Sequence, residues 1–181
     1  MADTVQPADA IVVLAGRFER KAYALELFRD GVAPRLLISV DRYEVSRMRQ
    51  FPIAGMDGLL ALRDITPPAD RHFFVDVDSE GVRTQLAKLP LLGTFGEIAA
   101  VRSYLGSHPP RLLIVSTAIH LRRVAYTCGR LFGADAAGFR YCPVPPGLDS
   151  LRADTWWRRP KDRRLVLSEW AKLAGYHILR R

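Results

Sequence analysis

Ala8–Ser39, ADAIVVLAGRFERKAYALELFRDGVAPRLLIS, decides the fold. Ala10–Leu14 is short, β-branched and bounded by Pro7 and Gly16, the pattern of a strand buried on both faces. From Phe18 to Asp30, apolar residues recur at helical spacing (Phe18, Ala22, Leu25, Phe28), and Gly31 supplies a left-handed stop. Arg35–Ser39 then reads as a second strand after Pro34. A strand–helix–strand opening of this kind predicts a parallel sheet with a right-handed crossover.

Working outward, Phe73–Val77, Leu112–Val115 and Phe139–Cys142 read as three more strands. Helices are predicted around Tyr43–Gln50, Met56–Asp64, Phe95–Leu105, Ile119–Phe132 and Arg164–His177, with Glu80–Leu92 left as a loop. Strands alternating with helices predict a three-layer α/β/α domain with a mostly parallel five-stranded sheet. At 181 residues the chain reads as one domain. A basic helical segment closes the chain over 151–181. With strand order 3-2-1-4-5, ligands are expected in the crevice beyond the carboxyl ends of the first and fourth strands, where the order reverses.

Composition narrows the function classes. No stretch reaches the roughly 18 apolar residues of a membrane-spanning helix, and MADTVQPAD lacks the basic-then-apolar pattern of a signal peptide. A cytoplasmic location is therefore expected. Cys128 and Cys142 form no CxxC pair and read as free thiols. The net charge is +8, and residues 151–181 hold nine Lys/Arg against three Asp/Glu, which accounts for +6 of it. A basic tail points either to an anionic partner or to a solvated helix face. Trp156 and Trp157 in TWWRRPKDRR favour peripheral contact with an anionic membrane, or else packing of the linker. No recognised nucleic-acid motif is present, so nucleic acid is not the expected partner.

Four stretches offer polar side chains at strand ends or helix starts. In AGRFER, Gly16 permits a tight turn and the helix start exposes unpaired amides, so Arg17 and Arg20 are candidate anion ligands beside Glu19. In GTFGE, Thr94 and Glu97 have the spacing of a capping box, which competes with a role in the crevice. In STAIHLRR, Ser116 or Thr117 caps the next helix, while His120 sits in its first turn, where the helix's positive end favours the neutral imidazole of a general base. In DVDSEG, Asp76 and Asp78 share a strand face, but no third metal ligand has a defined spacing and no metal is expected.

Taken together, Ala8–Ser39, GTFGEIAAVRSYL, LLIVSTAIHLRRVAYTCGRLFG and the closing VLSEWAKLAGYHI resemble the YdcF/SanA/ElyC-like family, a bacterial domain of unknown function. The resemblance implies an insertion around residues 40–92. STAIHLRR resembles that family's V-[ST]-[ST]-x-x-H-x-x-R signature. The resemblance implies a Rossmann-like fold with Arg20, Ser39, Thr94, Glu97, Ser116, Thr117, His120 and Arg123 around one cleft. It also implies a link to cell-envelope and peptidoglycan-related processes. The family's glycine-rich first loop is reduced here to Leu14-Ala15-Gly16-Arg17, which leaves Arg17 to compensate for lost backbone contacts. The resulting expectation is a small-molecule-binding enzyme for an anionic, phosphorylated or nucleotide-like ligand. Glu97 and His120 are its acid/base pair; no cofactor is identified. The alternative is a non-catalytic peripheral membrane or regulatory module of envelope biogenesis.

Overall fold

A computed structural model of the chain describes residues 8–90, 93–106, 111–152 and 154–179. Among them, six strands form one sheet: β1 (Ala10–Val13), β2 (Leu36–Asp41), β3 (His72–Asp78), β4 (Gly81–Leu86), β5 (Leu112–Ser116) and β6 (Arg140–Pro143). Five α-helices accompany it: α1 (Phe18–Arg29), α2 (Asp57–Ile65), α3 (Gly93–Leu105), α4 (Ala118–Phe132) and α5 (Pro160–Leu179). The order across the sheet is β4-β3-β2-β1-β5-β6. The parallel core β2-β1-β5-β6 has the order under which the crevice falls beyond β1 and β5.

Two expectations need correction. The sheet has six strands instead of five, because Gly81–Leu86 pairs with β3 instead of forming a loop. Val82, Thr84 and Leu86 alternate with Arg83 and Gln85, the pattern of a half-exposed edge strand. The hairpin turn is closed by the Asp78 carboxylate, which accepts a 2.8 Å hydrogen bond from the Glu80 amide. The second correction is direction. β3 runs antiparallel to β2, pairing His72 with Asp41 and Asp76 with Leu37. The carboxyl end of β3 therefore lies at the edge of the sheet opposite the crevice, and its first residue lies at the crevice.

Period-2 alternation divides the core between the two faces. Ile11, Val13, Ile38 and Val115 pack with Leu25 of α1 and Leu59 of α2 on one side. Val12, Leu37 and Ile114 pack with Val101 of α3 and Val124 and Cys128 of α4 on the other. Both faces of β1, β2 and β5 are thus covered, which explains why these strands read as continuous apolar runs. α5 packs outside α4.

Candidate functional site

At the carboxyl edge of β1, β2 and β5 the chain leaves a cleft of about 670 Å³. Arg20, Thr94, Glu97, His120 and Arg123 all line it, although they come from three helices. The sheet topology brings them together: α1, α3 and α4 each present their first turns, and for α4 also Arg123, to the same edge.

The GTFGE stretch forms no capping box. Glu97 instead accepts a 2.6 Å hydrogen bond from the Ala15 amide, 82 residues away. Thr94 Oγ1 lies 3.2 Å from His120 Nε2 and also accepts from the Arg123 guanidinium. His120 Nδ1 is 2.8 Å from Ser116 Oγ. A neutral imidazole donates from one nitrogen and accepts at the other, so two hydroxyls satisfy it completely. Burial and the nearby charges of Arg20, Arg123 and Lys172 hold its pKa well below the ordinary histidine value. His120 is therefore a neutral link in a hydrogen-bond chain.

Arg123 continues that chain into α5. Its Nε and Nη2 atoms donate to both Glu169 oxygens at 2.8–3.0 Å, and its guanidinium lies 5.6 Å from the Tyr176 ring centroid. Lys172 donates to the same carboxylate at 3.0 Å. Arg123 is a buried cation already compensated by protein.

Arg20 differs in this respect. It is only 8% exposed, yet among the described residues no carboxylate lies within ion-pair distance of it. Its Nη2 donates to Thr117 Oγ1 at 2.9 Å, and its buried Nε has no partner among the described residues. Desolvation, and then the neighbouring Arg17 charge, lower its pKa against the opposing but more distant charges of Glu97, Glu169 and Glu19. A guanidinium nevertheless keeps its proton at any pH the fold survives. A buried, unpaired cation is costly and stands ready for an anion.

The remaining sequence candidates fall behind or beside the cleft. Ser39, Ser116 and Thr117 are buried behind its wall, where they support His72, His120 and Arg20 respectively. Thr117 stands at the α4 N-cap position but makes no side-chain capping bond. Gly16 adopts φ +126°, and its amide donates to Glu44 at 2.8 Å, so that donor is already taken by protein. Arg17 does not replace a phosphate-binding loop: it turns to Glu19, Asp149 and Ser150 instead of lining the cleft. Asp76, at the opposite edge, accepts from Arg35 and Tyr104 and is a structural anchor.

Several site residues have no equivalent in the sequence reading. His72 lines the cleft with its Nε2 2.7 Å from Ser39 Oγ and 3.7 Å from Glu97 Oε1. Burial outweighs the Glu97 charge and lowers its pKa. Beneath the first loop, fully buried Lys21 pairs with Glu44, whose carboxylate also accepts from the amides of Gly16 and Asp41. Arg42, Arg71 and Lys172 bring the cleft to five Lys/Arg against the three carboxylates of Asp41, Glu97 and Glu169. Among the described residues no group of three His, Cys, Asp or Glu side chains is placed to hold a metal ion. None of their helices is long and apolar enough to cross a membrane.

The chain matches no protein-family model, no curated protein and no solved structure.

Proposed function

We propose that the chain is an enzyme that binds an anionic, phosphate-bearing small molecule at this cleft and acts on it by hydrolysis or group transfer. The observation that carries this reading is Arg20, a guanidinium buried at the cleft wall with no ion-pair partner among the described residues. A ligand phosphate supplies a directly paired charge and accepts charge-assisted hydrogen bonds from the guanidinium. The excess of cations around it draws anions in.

Proton transfer falls to Glu97 and His72. Glu97 Oε1 is held by the Ala15 amide, which leaves the second oxygen to accept a proton from water or from a substrate hydroxyl. His72, 3.7 Å from that carboxylate, is the neighbouring group that receives or returns the proton. His120 holds Thr94 and Ser116 in place, a positioning role in place of the acid/base role expected of it. The sequence resemblance supports a ligand from cell-envelope metabolism.

Calorimetric titration with methyl phosphate and with a nucleoside diphosphate tests the reading. Binding to the wild-type protein, weakened at least tenfold in Arg20→Met with the melting temperature retained, is the expected result. Equal affinity in both proteins overturns it.

A second reading, peripheral attachment to an anionic membrane, rests on the C-terminal segment. Leu167, Trp170 and Ile178 are exposed on one face of α5, and Trp157 is half exposed in the turn before it. Arg158, Arg159, Lys161, Arg163 and Arg164 are exposed in the same segment. Interfacial tryptophans beside lysine and arginine suit an anionic headgroup layer. Sedimentation with phosphatidylglycerol vesicles at low and high salt is the check, and no binding at either salt removes the idea.

A further inference from the structure

A second concavity of about 740 Å³ adjoins the charged cleft. The end of α2 and the turn after it supply Leu62, Ile65 and Pro67 on one side; the end of β4 and the residues after it supply Leu86 and Leu89 on the other. Ala69, His72 and Leu89 line both spaces, so the two lie side by side, with His72 at their shared border.

The two halves differ in chemistry. The cleft gathers five Lys/Arg around the buried Arg20. The annex is walled mainly by aliphatic side chains, and among the described residues its acidic or basic ones besides His72 are Asp70 and Lys88, both exposed. Ile65 is 80% exposed and Leu86 is 37% exposed. A single exposed aliphatic side chain needs no explanation, but several lining one hollow that borders a cationic cleft form a graded surface. Such a surface complements a ligand that is charged at one end and apolar at the other.

We infer that the ligand is an amphiphile, an alkyl or acyl phosphate, whose head sits against Arg20 while its chain runs past His72 into the annex between Ile65 and Leu86. This rests on the anion-binding reading above and names the class of that anion. The chain contributes affinity by removing its methylenes, and the annex side chains, from water.

Titration of the full chain with methyl, butyl and octyl phosphate, each below its micellar concentration, is the test. The dissociation constant is expected to fall at least tenfold from methyl to octyl phosphate. In Ile65→Asp and in Leu86→Asp this gain should shrink below threefold while methyl phosphate affinity is unchanged. Ile65 and Leu86 lie outside the charged cleft, and Ile65 is largely exposed, so that variant keeps the fold; unchanged melting and circular dichroism verify it. Equal affinity along the series, or a full chain-length gain in folded Ile65→Asp, overturns the amphiphile while the anion site stands. Failure of methyl and octyl phosphate alike to bind overturns both.

Discussion

The Glu97 carboxylate accepts a 2.6 Å hydrogen bond from the backbone amide of Ala15, joining the first turn of α3 to the loop that follows β1. Both residues line the cleft, so this one bond sets the spacing of two of its walls.

Glu97→Ala orphans the Ala15 amide and is expected to cost about 1–3 kcal/mol in urea denaturation. Glu97→Gln keeps an acceptor oxygen and should lose less than half of that. The glutamine cannot accept a proton, however, so turnover of a phosphate ester such as p-nitrophenyl phosphate should fall by about 100-fold or more. Equal turnover in Glu97→Gln removes Glu97 from the chemistry.

Arg20 and Arg123 should separate in a stability comparison. Arg123→Met leaves the buried Glu169 carboxylate with only Lys172, a loss of about 3–5 kcal/mol. Arg20→Met strands no carboxylate and relieves an unpaired buried charge, so its unliganded form should lose less than about 1 kcal/mol. Paired urea denaturation curves decide, and the reverse ranking contradicts the placement of Arg20 as the open anion ligand.

Acid should weaken the fold through its buried histidines. Burial lowers the pKa of both His120 and His72 below the ordinary value of 6.5. Below pH 6.5 the unfolded chain takes up protons that the folded one refuses, so stability present above that pH is lost as the pH falls toward the folded values. Glu44, raised by burial, acts in the opposite sense. The clean comparison is therefore with His120→Asn. The melting temperature of the wild type should drop between pH 6.5 and 5, and the variant should show a flatter profile.

Asp76 tests the opposite edge of the sheet. Its carboxylate is 1% exposed and accepts from Arg35 at 2.8 and 2.9 Å and from the Tyr104 hydroxyl at 2.6 Å. Asp76→Ala should cost about 2–3 kcal/mol, less than the roughly 3–5 kcal/mol for breaking a fully buried pair because the Arg35 side chain is about a third exposed. Methyl phosphate affinity should be unchanged. Lost binding in a folded Asp76→Ala protein contradicts its assignment as a structural anchor.

Much of the scaffold was legible because local patterns carry it. The apolar runs of β1, β2 and β5 report burial on both faces, and the α1 and α4 boundaries follow helical spacing and the stops at Gly31 and Gly133. Arg20, His120 and Arg123 were legible because each lies near the junction of a strand's end and the start of a helix, or one turn beyond it, while Thr94 and Glu97 joined them through the family resemblance and the expected topology. Their partners were not. The spacing of Thr94 and Glu97 fits a capping box as well as a cleft, and only the approach of Ala15 and His120 separates the two. Arg17 and Arg20 are equivalent in sequence, yet the 145–151 segment supplies Asp149 to one and nothing to the other.

The chain's own pattern determined the α/β layering and which strands are buried on both faces. Residue periodicity records which faces are buried, and right-handed crossovers leave few arrangements open. Tertiary structure alone decided that β3 runs antiparallel, since alternation along a strand is the same read in either direction. That reversal carries His72 to the cleft and Asp76 away from it. It also decided which buried cation has a counter-ion, because a charge is paired by whatever side chain the fold brings within about 4 Å, at any distance along the sequence.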